Sequence, residues 1–292
     1  MVNPARSPLD QVSPSTVLPL EEGVEVSVII PTYQREMLVV EAIESALRQQ
    51  GVSLEVLVLD DSPTGSAAKD VGAIGDSRVR YFKRAVPSGG RPALVRNDGS
   101  RLARGRFLHF LDDDDILEEG SLAALTDALA RRPSAGMAFG AVEPFGGDAA
   151  SLEAEQEYFR NATRSARTLV HRMHLAAHLL FCRTVLVNSA CMARREAFEI
   201  AGGYDPEVPV NEDVELWLRV VRGSGFTFVD RPVVRYRTGA PSLMRETLAK
   251  KDAGRDKFRA AYARMHEKYR QQYGRPEFYA LKVLARAILD RT

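Results

Sequence analysis

Apolar positions in this chain fall into two patterns that alternate along it. Val26-Ser27-Val28-Ile29-Ile30 and Leu54-Glu55-Val56-Leu57-Val58-Leu59 are short, β-branched and nearly continuous, which suits strands buried on both faces. Between them, residues 36–50 repeat apolar positions at helical spacing: Leu38/Val39, Ala42/Ile43 and Ala46/Leu47, with Gly51 following as a C-cap. Strand, helix and strand in this order make a βαβ unit.

The alternation runs on. A short strand is predicted over 78–82, a helix over 92–103 closed by Gly105, a strand over 106–111, a helix marked by Leu122, Leu125 and Leu129, and a strand over 137–142. This predicts an α/β fold, an open sheet with helices on both faces. Such sheets bind ligands outside the carboxyl ends of their strands. Three predicted strands end in polar clusters: Pro31-Thr32-Tyr33, Asp60-Asp61-Ser62 and Asp112-Asp113-Asp114-Asp115. If those strands are parallel, all three clusters share one rim.

The second half differs. Residues 151–181 look helical, and residues 189–221 mix elements around Gly202-Gly203-Tyr204-Asp205 and Asn211-Glu212-Asp213. The last stretch predicts two helices broken at Gly274-Arg275-Pro276, the first carrying a stripe of Phe258, Tyr262, Met265 and Tyr269. Three units are expected: a disordered leader over 1–23, which holds four prolines, a main domain over 24–243 and a helical tail over 244–292. The main domain divides into a half over 24–145 and a half over 146–243.

Composition narrows the classes. The chain has 292 residues, 45% of them hydrophobic, enough for a real core. Forty Lys/Arg against 39 Asp/Glu leave a net charge of +1, which gives no overall case for nucleic-acid binding. Positive charge concentrates in the tail, where residues 245–292 hold thirteen Lys/Arg and six Asp/Glu. Cys182 and Cys191 make no disulfide framework and fit a cytoplasmic protein with free thiols. No apolar run reaches the roughly 18 residues of a membrane span.

The run Asp112-Asp113-Asp114-Asp115 is the strongest chemical feature. Carboxylates are ligands for Mg²⁺ and Mn²⁺, and Mg²⁺ sites pair one or two of them with substrate phosphates. Asp112 and Asp114, one residue apart on a loop, could converge on one ion, although a solvated acidic turn has the same composition. Asp60 and Asp61 could accept a nucleobase N–H or form a turn. Glu212-Asp213 could hold a general base or only suit the dipole of a helix start. His171, His174 and His178 share one helical face, but no carboxylate or Cys joins them at metal-ligand spacing.

Together these pieces resemble the family 2 glycosyltransferases, the inverting family of the GT-A fold, from about residue 26 to residue 237. Val-Ser-Val-Ile-Ile-Pro-Thr-Tyr (26–33) is similar to that family's opening strand and nucleotide loop. Leu57-Val58-Leu59-Asp60-Asp61-Ser62 is similar to its second strand, and Arg96-Asn97-Asp98-Gly99 to its Ala-Arg-Asn-x-Gly helix. Phe110 to Asp115 looks like its DxD segment, and Met192 to Arg195, Gly202 to Asp205 and Glu212 to Arg219 look like its acceptor half. The resemblance implies a GT-A-type Rossmann-like sheet with a helical C-terminal extension. It implies transfer of one sugar from a UDP- or dTDP-sugar to an acceptor hydroxyl, helped by Mn²⁺ or Mg²⁺. Asp213 would be the catalytic base. Pro31, Thr32, Tyr33, Asp61, Arg96, Asp112 and Asp113 would bind the nucleotide-sugar, and Asp112 and Asp114 the metal.

Two departures stand out. Gln34 occupies the place of a usual Asn, and Thr238 and Gly239 follow Val234-Arg235-Tyr236-Arg237 where many members carry a His. No processive-synthase Gln-x-x-Arg-Trp motif follows, so single transfer is expected. The expected partners are the nucleotide-sugar and the hydroxyl acceptor, with a homo-oligomer through the C-terminal helices as a further possibility. Two other classes fit parts of the pattern: a receiver-like signalling domain, and a nucleotide-sugar binding protein without catalysis.

Overall fold

The structure, a computed structural model, describes residues 23–182, 185–239 and 251–289. Apart from Gly23, the expected leader lies outside the described residues, as does 240–250 between domain and tail.

The first half is the expected α/β alternation. It runs β1 (Val26–Thr32), α1 (Glu36–Leu47), β2 (Leu54–Asp60), α2 (Ala68–Ala73), β3 (Val79–Lys83), α3 (Pro92–Leu102), β4 (Phe107–Phe110), β5 (Ile116–Leu117), α4 (Ser121–Arg131) and β6 (Met137–Gly146). The second half holds α5 (Ala149–Thr168), α6 (Arg172–Phe181), β7 (Cys191–Arg194), α7 (Arg195–Ala201), α8 (Glu212–Ser224) and β8 (Phe226–Thr238). Two tail helices follow, α9 (Lys251–Tyr273) and α10 (Arg275–Leu289). All eight strands join one sheet in the order β3-β2-β1-β4-β7-β6-β8-β5.

The continuous apolar strands sort themselves by the two-residue period of a pleated strand. On one face Val28, Ile30, Val56 and Val58 meet Val39, Ile43 and Leu125 of α1 and α4. On the other, Ile29, Leu57, Leu59 and Phe110 meet Val95 and Leu102 of α3, with Trp217 of α8. The polar interruption pairs off at the opposite end from the rim. Ser27 Oγ donates to Glu55 Oε1 at 2.7 Å, and Arg80 Nη1 donates to Glu55 Oε2 at 2.6 Å.

β1 pairs in parallel with β2 and β4, and β2 with β3. The rest of the sheet is mixed, since β7 runs antiparallel to both β4 and β6, and β5 antiparallel to β8. β1 continues through Pro31 to Thr32 instead of ending at Ile30. This is possible because the rungs toward β4 end where Leu111 N–H donates to Ile29 carbonyl, so Pro31 withholds no ladder donor. The short β5, the four-residue β7 and the arginine-rich β8 carry weak apolar signals, and sequence patterning did not single them out.

The tail covers its own stripe. Met265 and Tyr269 of α9 join Phe278, Leu281 and Ala285 of α10 in the same core as Leu175 and Leu179 of α6. Arg222 on α8 grips Glu277 on α10 through two bonds of 2.7 Å. Gly274, at φ 85°, separates the two helices.

Gly99 explains the small residue of the Arg-Asn-x-Gly segment. A Cβ there would lie 2.4 Å from Ile29 Cγ2 and 2.9 Å from Leu59 Cδ2, so α3 sits directly on β1 and β2. Gly99→Ala should destabilise by about 1–3 kcal/mol through overpacking, despite the better helix propensity of Ala. Urea unfolding measures this, and a stabilised variant would contradict the close approach.

Candidate active site

Because β1, β2 and β4 are parallel, their carboxyl ends do form one rim. Asp61 N–H donates to Thr32 carbonyl at 2.9 Å, and Thr32 Oγ1 donates to Asp113 Oδ2 at 2.8 Å, so all three clusters are linked there. Tyr33, half-exposed, stands outside, and Gln34 next to it adopts a left-handed backbone at φ 52°. Asn tolerates that conformation better than Gln, which gives a physical meaning to the Gln-for-Asn departure.

The four aspartates have four different environments. Asp112 is the most open, its side chain 35% exposed, and accepts from Arg96 Nη2 at 2.7 Å. Asp113 turns inward to Thr32, and burial pushes its carboxyl up to about 6 despite the Arg35 guanidinium at 2.9 Å. Asp114 accepts from the same Arg35 nitrogen at 3.0 Å and is raised by burial and by the charge of Asp112. Asp115 is buried and accepts from the Arg237 N–H at 3.1 Å, so it is a structural carboxyl of the loop. Asp112 N–H donates to Ser189 Oγ at 3.1 Å, fixing the loop from below.

Arg96 on α3 ties the acidic loop to the first turn of α8. It is buried, and its Nη1 donates to Glu212 Oε1 at 2.6 Å while Nη2 holds Asp112. Burial disfavours the guanidinium, but Asp112 and then Glu212 more than offset this and hold it charged. The Tyr204 ring lies 5.5 Å from it. Asp213 follows Glu212 in the first turn of α8. Its Oδ1 accepts from the Val214 N–H at 2.8 Å, and its carboxyl is pushed up to about 7, by burial first and then by the neighbouring Glu212 charge. The turn is entered through Asn211, left-handed at φ 57°. Gln34 and Asn211, the positive-φ residues other than glycine among those described, thus border the acidic loop and the first turn of α8.

Asp61 is buried and already engaged. Ser88 N–H and Arg84 Nη1 donate to its Oδ1 at 2.7 and 2.9 Å, and Ser88 Oγ donates to its Oδ2 at 2.5 Å. Oδ2 keeps a lone pair for a further donor. Asp60 instead closes the turn, accepting from the Ser62 and Ala67 N–H groups and from the Tyr81 hydroxyl.

Some candidates are not brought to the rim. His171 caps α6 by accepting from Met173 N–H, and His178 is buried in the same helix. Among the described residues no group of three or more His, Cys, Asp and Glu is arranged to hold a metal. Thr238 is buried and turned toward β6, donating to the Phe145 and Gly146 carbonyls, so it does not stand in for the usual His. Sequence reasoning missed Arg35, Ser88, Arg84, Ser189 and the structural use of Glu212. Lone arginines and serines carry no spacing signal, and only the fold places them beside the acids.

Comparison with known proteins points to one family. Residues 27–199 match the family described as Glycosyl transferase family 2. The chain belongs to that family. It is 31% identical over 230 residues to the protein MT1568 of Mycobacterium tuberculosis (strain CDC 1551 / Oshkosh), covering 75% of this chain and 69% of that protein. Of two further curated relatives it spans only 29% and 15% of their length. Among solved structures, residues 1–349 of TarS from S. aureus in complex with UDP-GlcNAc share the fold with a TM-score of 0.60 at 16% identity, over 89% of this chain and 76% of that one. The mannosyltransferase PcManGT from Pyrobaculum calidifontis, in complex with GDP-Man and Mn²⁺, does so with a TM-score of 0.57 at 18% identity, over 94% and 77%. The protein is a glycosyltransferase with a GT-A-type fold, which removes the receiver-like alternative. No helix among the described residues is long and apolar enough to cross a membrane.

The raised carboxyl of Asp213 has a consequence for stability. The folded protein holds that proton more tightly than the unfolded chain, so from about pH 4 to pH 7 rising pH erodes stability, and the loss is complete above 7. Asp213→Asn keeps the acceptor oxygen for Val214 and removes the charge. It should melt roughly 2–4 °C above the wild type at pH 8, per kcal/mol relieved, with the gap closing by pH 5. Thermal melts across this range check it, and a gap that widens at low pH would contradict the assignment.

Proposed function

We propose that this glycosyltransferase moves one sugar from a UDP- or dTDP-sugar to an acceptor hydroxyl with inversion, using Asp213 as general base. The observation that carries the reading is the pairing of environments around Arg96. On one side lie the acids of the 112–115 loop, and on the other a carboxyl raised to about 7, near the ideal for a base working at neutral pH. Pro31, Thr32, Tyr33, Asp61, Arg96, Asp112 and Asp113 form the donor side. Asp61 accepts the N3–H that uracil and thymine share, and the UDP-GlcNAc of the TarS structure supports that choice. The half over 24–145 then serves the donor, and the half over 146–243 the acceptor.

The acids also fit a divalent cation. Asp112 is open, and the Asp112 charge raises the Asp114 carboxyl, a repulsion that a cation relieves. Asp112 and Asp114 would hold Mn²⁺ or Mg²⁺, which supplies neutralisation of charge on the departing diphosphate. Within the chain itself, Asp213 accepts the acceptor's hydroxyl proton as that oxygen attacks the anomeric carbon. The bond from that carbon to the diphosphate oxygen breaks on the opposite face, and the nucleoside diphosphate leaves. Arg96 holds the loop and the base turn in one frame. The chemistry fits a cytoplasmic enzyme supplied with nucleotide-sugars. A homo-oligomer through the C-terminal helices would use the outer face of α10, where Tyr279 and Val283 are exposed, because the stripe of α9 is used internally.

Asp114→Asn, or a chelator in excess, should abolish turnover while the protein stays folded. Nucleoside diphosphate release in a donor and acceptor screen measures it, and full activity in EDTA would sink the metal role. Asp213→Asn should lower kcat by about 10²-fold or more and leave donor affinity nearly intact. The wild-type kcat should rise with pH through about 7, as the base loses its proton. Loss of donor affinity with kcat intact would make Asp213 a donor ligand instead.

A further inference from the structure

Residues 203–211 join α7 to α8 and are held from two sides. On the inner side Tyr204 is buried. Its N–H donates to Asn97 Oδ1 at 2.9 Å, its carbonyl accepts from Asn97 Nδ2 at 2.8 Å, and its hydroxyl donates to Asn188 Oδ1 at 2.8 Å. On the outer side the next residue, Asp205, is gripped by the tail: Lys268 of α9 pairs with its Oδ2, and Arg264 Nε approaches the same oxygen at 3.5 Å. Arg264 also pairs with Glu207, and Val208 and Val210 cluster with Ala261 and Phe258 of α9. Asp205 in turn folds the loop, since its Oδ1 accepts from the Glu207 N–H at 3.0 Å.

The loop ends at Asn211, whose left-handed backbone aims the first turn of α8 and therefore Asp213. On the same helix the Tyr262 phenol is pushed up, by burial first and then by the charge of Asp213. Exposed ion pairs alone contribute little, but the Asp205 side chain is only 10% exposed and its pairs act together with an apolar cluster.

We infer that α9 is part of the acceptor side of the site: Lys268 and Arg264, through Asp205 and Glu207, position residues 203–211 and with them Asp213. The tail is thereby a positioning element as well as a cover for its own apolar stripe. The catalytic meaning of this rests on the assignment of Asp213 as base.

The hold of the tail on the loop can be read without substrate. In the full chain, Lys268→Ala combined with Arg264→Ala should speed amide hydrogen exchange over 203–213 by tenfold or more, while β1 and the 107–115 segment exchange as before. The Asp213 carboxyl, followed by carbon NMR, should titrate at least one pH unit below its midpoint of about 7. Lys268→Arg should behave as the wild type. Arg222→Ala, which cuts the other staple between tail and domain, should lower the melting temperature without moving the Asp213 midpoint. An unchanged loop and midpoint in the double variant would overturn the inference, as would an equal shift in Arg222→Ala. If the midpoint moves as expected but Asp213→Asn keeps full turnover, the base assignment fails and the hold of the tail on the loop stands. The reverse pattern removes the tail's role and leaves the base.

Discussion

One buried guanidinium ties the acidic loop of the first half to the first turn of α8 in the second. Arg96 reaches Asp112 on the loop after β4 and Glu212 at the start of α8, at 2.7 and 2.6 Å, and it is itself fixed by the seating of α3 on the sheet through Gly99. Breaking such a buried pair from one side costs about 3–5 kcal/mol, because the partner charges stay behind unmatched. The cost here extends beyond stability. Without Arg96, the acids at the rim and the acids of α8 would repel one another, and the proposed base would lose its registration with the proposed donor loop.

The site is assembled against electrostatic preference. Asp113, Asp114, Asp115 and Asp213 all have carboxyls raised above their ordinary range, with burial the first cause each time. Arg35, Arg96 and Arg237 offset part of this from within the chain. Left-handed backbones at Gln34 and Asn211 add local strain at the borders of the same region. Concentrated, partly compensated negative charge and strained turns are tolerated here because two packed cores elsewhere carry the fold.

The parallel half was legible in the sequence because buried parallel strands write themselves as continuous apolar runs, and helices as 3.6-residue stripes. The rim followed from topology, so Thr32, Asp61 and Asp112 to Asp115 could be named from the sequence. β7 and β8 were not legible. β7 is four residues long, and β8 exposes arginines on one face, so neither carries a clean period. Asp213 was named from the resemblance; the sequence alone allowed a plain helix start. Arg35, Ser88, Arg84 and Ser189 stayed invisible because hydrogen bonding to a distant carboxylate leaves no mark in local spacing. The tail stripe was visible, but which surface covered it was decided only by α9 and α10 folding onto α6 and α8.

The central claim is that Asp213, on the far side of Arg96 from the acidic loop, serves an attack from the face opposite the departing diphosphate. The anomeric configuration of the product, read by proton NMR early in the reaction with the first donor and acceptor pair that turns over, tests it most directly. A product of inverted configuration is the result this account predicts. A retained configuration would contradict it, because a single displacement helped by one base cannot preserve the stereochemistry of the donor.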